Sequence, residues 1–431
     1  MRTQNFTDTL SNCMRHMCCF CVAVITGLCF SAQVYAQEAG KTGPSSLLLH
    51  AARVFDGNEM RSGLSVLVKD GKIARIAPRN TFEAGDALAD IDLGEATLLP
   101  GFIELHAHLA FQKVPADIVL RHGVTTLRDV GGPVHPPYGG DGSLRVLTSG
   151  QIITAPHGYP IVTMGAKDLA IPVASEAEAR EAVRHLVGEG AVIIKIALEP
   201  GSEAGAPWSS HHDHAHHDAA HTAPAGAHHH AHVAPHDQSA WPMLPEPIVK
   251  AVVDEAHRHQ RKVSAHVAEP SGVQVALNAG VDEWAHMPCN PIPEPLLKQA
   301  RAQNVTIIGT LDTLSKCSGI AHNTMVWTEL GGELLYGTEI AHPDIPWGID
   351  AQELMYLMHL GKMKLLDALG AATAKAGRYL GIPMLGTIQP GAPADLIAIR
   401  GNPEQQLKRL EYPDLVISGG HIVVNHFSPL P

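Results

Sequence analysis

Leu98-Leu99-Pro100-Gly101-Phe102-Ile103-Glu104-Leu105-His106-Ala107-His108 is a short apolar stretch that closes on two histidines one residue apart. Alternate side chains of a strand share a face, so His106 and His108 project together and can hold one metal ion. Pro100-Gly101 gives a tight entry just upstream. Short motifs match by chance, and an isolated His-x-His is as a rule a strand end with two surface histidines. The rest of the chain decides between these readings.

Downstream, apolar strands alternate with helical stretches, the pattern of a parallel sheet. Candidate strands fall at 99–105, 124–128, 145–149, 191–196, 262–266, 281–285, 305–310 and 333–338. Eight strands with intervening helices predict an α/β fold, a (β/α)8 TIM barrel whose chemistry sits at the C-terminal strand ends. Lys195, His266, His286 and Glu339 all fall at or just past such ends. Residues 47–77 read instead as β-hairpins with Asp70-Gly71 as a turn, and a similar pattern returns beyond residue 386. The two ends together predict a small β-sandwich domain, 46–98 plus 384–428, around a barrel at 99–383.

The beginning of the chain is of another kind. Met17 to Phe30 is apolar and uncharged, follows Arg15 and His16, and is too short to span a bilayer comfortably. Val34-Tyr35-Ala36 then places small residues where a signal peptidase inspects them, so 1–36 reads as a signal peptide. The mature protein is expected to be periplasmic or secreted, with no stable membrane anchor. Cleavage removes Arg2, Arg15 and Asp8 and moves the formal charge from −12 to −13, which argues against nucleic acid as a partner. It also removes five of the seven cysteines, leaving Cys289 and Cys317, for which export allows a disulfide without demonstrating one.

Residues 201–240 interrupt the barrel pattern and hold 11 of the 28 histidines amid Ala, Gly, Pro and Asp. They have no apolar periodicity and read as a disordered insert able to bind extra divalent metal ions.

Each barrel residue has a dull alternative. Lys195 could snorkel out of the core. His266 or His286 could be a hydrogen-bonded core histidine, and Glu339 could cap a following helix. Their joint order, His-x-His, Lys, His, His, carboxylate, each on a different strand, defeats these readings. That order resembles the amidohydrolase superfamily, as do His122-Gly123-Val124-Thr125-Thr126-Leu127-Arg128-Asp129-Val130-Gly131-Gly132 and Pro390-Gly391-Ala392-Pro393-Ala394-Asp395-Leu396. The resemblance covers roughly 46–425 and is nearest to the imidazolonepropionase-like and prolidase-like branch, which includes zinc dipeptidases.

The resemblance implies two divalent metal ions, zinc (Zn2+) being the usual one. His106 and His108 would hold one, His266 and His286 the other, and a CO2-derived carbamate on Lys195 would bridge them. It gives His157 a substrate-binding role, and Arg128 with Asp129 a structural one, as an ion pair at the barrel mouth. Glu339 stands where the family carries Asp after Gly-Thr and would serve as metal-contacting acid–base catalyst, with Asp344 and Asp350 as fallback positions. The implied activity is hydrolysis of the amide bond of a small substrate, a dipeptide or an N-acyl amino acid. A cyclic amidase or lactonase of the same superfamily is one alternative, and a periplasmic metal-buffering protein with reduced catalysis is another. A homo-oligomer is compatible with all of these.

Overall fold

Gly101 is where two sheets meet. A Cβ on it would lie 2.2 Å from the Thr125 side chain, so only glycine lets the chain pass here. The stretch expected as one strand is therefore two, one in each sheet. The computed structural model describes residues 46–83, 85–201 and 240–427. The expected signal peptide and nearly all of the His-rich insert lie outside the described residues.

The strands β1 (Ser46–Phe55), β2 (Met60–Lys69), β3 (Lys72–Pro78), β4 (Ala89–Asp92) and β5 (Ala96–Pro100) open the chain's described part. β2 and β3 are joined across Asp70 and Gly71, both with positive φ (51° and 73°), as a two-residue hairpin turn requires. β5 then pairs antiparallel with β16 (Leu396–Arg400), which pairs with β17 (Leu415–Ser418) and through it with β18 (His421–Asn425). One eight-stranded sheet is thus built from both ends of the described chain, in the order β18-β17-β16-β5-β1-β2-β3 with β4 on β1. Its apolar residues, among them Leu47, Val66, Leu98, Leu396 and Ile417, form a core of their own.

Between these ends lie parallel strands. β6 (Phe102–Ala107), β7 (Val124–Asp129) and β8 (Arg145–Thr148) form one sheet. β9 (Ile152–Thr154), β10 (Ala170–Pro172), β11 (Ile194–Leu198), β12 (Val263–Val267), β13 (Glu283–Trp284), β14 (Thr306–Ile308) and β15 (Glu333–Leu335) form the other. Backbone bonds join the two sheets on both sides. Val192 N–H donates to Thr148 O (2.9 Å) beside β8, and Glu339 N–H donates to His106 O (2.8 Å) beside β6. Helices such as Glu176–Gly188 and Glu246–Arg258 turn apolar faces (Ala179, Val183, Leu186; Val249, Val252, Ala256) onto this layer. The result is a TIM-barrel-like α/β fold with a β-rich domain. Among the described residues no helix is long and apolar enough to cross a membrane.

Long-range pairing departs from the expected plan in particulars. β9 and β10 are short and were not anticipated. Arg128 does not pair with Asp129. Its guanidinium makes two parallel bonds to Glu283 (2.7 and 2.9 Å) and a third to Leu105 O, all buried, while Asp129 accepts the backbone N–H groups of Leu109 and Ala110. An aligned carboxylate on the facing strand offers the fork–fork geometry that a sequence neighbour cannot. Cys289 and Cys317 form a disulfide with Cα atoms 5.0 Å apart, tying the segment after β13 to the segment after β14.

Candidate metal centre

His106 is the penultimate residue of β6 and is wholly buried. Its backbone is fixed by Glu104, whose Oε1 accepts His106 N–H (2.7 Å) and Thr338 N–H (3.0 Å) and whose Oε2 accepts the Thr338 hydroxyl (2.9 Å). Burial pushes Glu104 up to about 8, against these bonds. One carboxylate thus clamps the end of β6 to the segment after β15. Gly337 permits the approach, since a Cβ there would stand 2.3 Å from Ile308 Cγ2 and 3.2 Å from His106 Cβ.

Glu339 lies on that segment. Its φ of 66° is left-handed, a conformation that costs a side-chain-bearing residue of order 1–3 kcal/mol and is met at functional sites. The bend lets its N–H bond to His106 O while its carboxylate meets the histidines. Oε1 is 3.1 Å from His108 Nε2, and Oε2 is 3.3 Å from His286 Nδ1 and 3.9 Å from His106 Nε2. Ligand atoms of His106, His286 and Glu339 all lie within 4.8 Å of one another. Burial opposes ionisation of Glu339, and His286, His108 and Lys195 outweigh it, holding the carboxyl below the usual carboxylate range.

The other histidines close the ring. His106 and His286 have centroids 4.4 Å apart, and His266 and His286 4.9 Å. Burial foremost, and then the charge of Lys195, pushes His266 down to about 3, and His106 and His286 are also held well below the ordinary histidine value. All three are neutral imidazoles at physiological pH, the form with a lone pair for a metal. Lys195 is the second residue of β11 rather than its last, and its side chain is buried. Desolvation brings its ammonium down to about 7, although Glu339 and Glu283 oppose this.

Buried donors and acceptors without hydrogen-bond partners are rare in folded proteins and call for a physical reason. Among the described residues, both ring nitrogens of His106, Nδ1 of His108 and Oε2 of Glu339 are such atoms. Neutral imidazoles around a carboxylate, with both nitrogens of His106 and Nδ1 of His108 left without hydrogen bonds among the described residues, are the donor set of a divalent cation such as zinc. The residues fit the group.

His157 is not drawn into the cluster. It is exposed, with φ 61°, on the loop after β9. The residue of that loop that reaches the centre is Tyr159, whose ring is 4.7 Å from His266 and lies parallel to Trp241 at 6.1 Å. Of the fallback carboxylates, Asp344 is exposed and Asp350 caps the helix Ala351–His359 by accepting Gln352 N–H at 2.8 Å. Sequence reasoning missed Glu104, Tyr159 and Glu199. Glu104 alone carried a signal, as the one carboxylate in a strand that is apolar apart from it and His106.

A profile described as the amidohydrolase family matches residues 97–423. The chain belongs to the amidohydrolase family. Over 192 residues it is 28% identical to ochratoxinase of Aspergillus niger, a stretch that is 39% of this chain and 38% of that protein. An uncharacterized protein of Mycobacterium tuberculosis is 28% identical over 199 residues, 42% of this chain and 52% of that one. The chain therefore spans from under two fifths to about half of the length of these curated relatives. In three dimensions this amidohydrolase is similar to A. niger ochratoxinase, with TM-score 0.67 and 19% identity over 89% of this chain and 96% of that one. It is also similar to a Xaa-Pro dipeptidase crystallised with methionine in its active site, with TM-score 0.67 and 22% identity over 88% and 99% of the two chains.

Proposed function

We propose that this amidohydrolase is an exported metal-dependent enzyme that cleaves the amide bond of dipeptides or N-acyl amino acids. The observation that carries the reading is the convergence of His106, His108, His286 and Glu339, with both ring nitrogens of His106 and Nδ1 of His108 buried and without hydrogen bonds among the described residues. In this reading β6, β7, β8 with β9 as one interrupted stave, and β11 to β15 form one eight-stave barrel, and β10 is an extra edge strand on β9. His106 and His108 would hold one ion, His266 and His286 a second, and Lys195, carboxylated by CO2, would bridge them. Two such ions would polarise a scissile carbonyl and supply a strongly nucleophilic water at neutral pH.

The chain's own groups do the rest. Burial keeps a large fraction of Lys195 uncharged near neutral pH, and only the free amine can react with CO2. Glu339, ionised among its histidines, would take a proton from water and pass it to the departing amine nitrogen. Tyr159 and Trp241 form an aromatic wall beside His266, against which the apolar part of a substrate can rest while water is excluded. Export is supported by the apolar segment before Ala36 and by the Cys289–Cys317 disulfide, a bond that persists in oxidising compartments.

The test is a hydrolysis screen of mature zinc-loaded protein against dipeptides, N-acyl amino acids, cyclic amides and lactones. Turnover of the first two classes that vanishes on chelation and returns with zinc is expected. Turnover of lactones alone, or none at all in fully loaded protein, would contradict it.

A further inference from the structure

Glu199 lies one residue beyond β11 and is 1% exposed. In the pairing of β11 with β12, Ala197 stands opposite His266, which brings the end of β11 to that ring. Glu199 Oε2 is 3.1 Å from His266 Nε2, and Oε1 accepts the Gly201 N–H at 2.6 Å. Pro200 O in turn accepts Trp241 N–H at 2.9 Å, and the Trp241 ring packs where a Cβ on Gly201 would be. The turn that carries Glu199 is therefore held from both sides.

A buried carboxylate is tolerated when its oxygens are hydrogen-bonded. With Oε1 accepting the Gly201 N–H, Glu199 meets His266 through Oε2, and a carboxylate oxygen can only accept, so this bond puts the proton on Nε2. A neutral imidazole carries one proton. Placing it on Nε2 leaves the lone pair on Nδ1. Metal-ligating histidines commonly hold their second nitrogen against a carboxylate in this way, which sets the tautomer, orients the ring and raises its basicity.

We propose that Glu199 is the positioning residue of His266: it accepts the Nε2–H, fixes the ring, and makes Nδ1 the metal-binding atom. Glu199 is then a partner of the second ion's site without being its ligand, and the His106–His108 side is independent of it. The inference rests on the two-ion reading of the centre, but its first readout does not need a metal.

The experiment uses the mature chain and its Glu199→Gln and Glu199→Ala variants, metal-free and then titrated with zinc. In metal-free wild type, 15N-detected imidazole spectra, with the His266 signal assigned by its loss in His266→Gln, should show the Nε2–H tautomer. Both Glu199 variants should show a mixture or the Nδ1–H form. In the titration, one of two zinc affinities should fall about 10- to 100-fold in the variants while the other stays put. Two results would overturn the proposal: a wild-type His266 protonated on Nδ1, or folded variants with both zinc affinities unchanged. A wild type that takes up only one ion, with the Nε2–H tautomer intact, would overturn the two-ion reading and leave the role of Glu199 in ordering His266 standing.

Discussion

The two sides of the centre are held in different ways. On one side His106 is fixed through its backbone: Glu104 grips its N–H, Glu339 N–H grips its carbonyl, and its ring nitrogens are left without hydrogen bonds among the described residues. On the other side the rings themselves are bonded, His266 to Glu199 and His286 to the Thr310 hydroxyl at 3.0 Å. Ordering a ligand through its backbone leaves the imidazole to be shaped by what binds it. Ordering it through its ring selects the coordinating atom in advance. Lys195 acts electrostatically on His106, His266 and His286, and Glu339 touches His106, His108 and His286, so losing either should affect both sides.

The largest effect is expected at Lys195. Lys195→Ala should lose metal and reduce turnover by orders of magnitude, with partial rescue by short carboxylic acids standing in for the carbamate. Metal analysis and turnover with and without acetate check this, and full metal content with unchanged turnover would remove the bridge.

Next comes Glu339. Glu339→Gln should keep the fold and most of the metal yet slow turnover by about a hundredfold or more, the size of a lost acid–base group. Glu339→Asp should be milder. Turnover and melting temperature on the same pair of variants separate catalysis from a merely structural role, since the helix that follows is capped by Asp350 and not by Glu339.

Glu104 tests the backbone-held side. Glu104→Ala leaves His106 N–H, Thr338 N–H and the Thr338 hydroxyl buried without their acceptor. Each such group costs roughly 1–3 kcal/mol. Denaturant unfolding should show a loss of about 3 kcal/mol or more, whereas Glu199→Gln should act on zinc affinity more than on stability. Equal stability losses in the two variants would erase the contrast between the sides.

The smallest effect concerns the aromatic wall. Trp241→Ala should raise KM several-fold for substrates with a bulky apolar group and change kcat less. An equal effect on a small substrate such as an acetylated glycine would mean that the wall shapes the site without touching substrate.

Much of this was legible in the residues. The alternation in 102–108 placed His106 and His108 on one face, and the order of chemistry-bearing residues along successive strands pointed to the family. The Asp70-Gly71 turn was readable because its chemistry is local. What escaped was set by neighbours distant in sequence. Arg128 found Glu283 155 positions away, a pairing that only the strand order creates. Glu199 sat in Leu-Glu-Pro-Gly, which reads as a turn, and its role exists only because β12 lies alongside. Tyr159 was passed over for His157, two residues earlier, because histidine advertises chemistry and a loop's direction is not written in its composition. Glu339 was expected, but not the left-handed backbone that aims it.

The most direct test of the central claim is the metal content of the folded mature chain after deletion of 202–239, which removes the insert's histidines from the count. The cut can be closed, because Trp241 N–H already bonds to Pro200 O at 2.9 Å across the base of the insert. The two-sided centre predicts about two zinc ions per chain, both lost in Lys195→Ala. A folded, excess-free preparation that retains none, or two ions that survive Lys195→Ala unchanged, would contradict it.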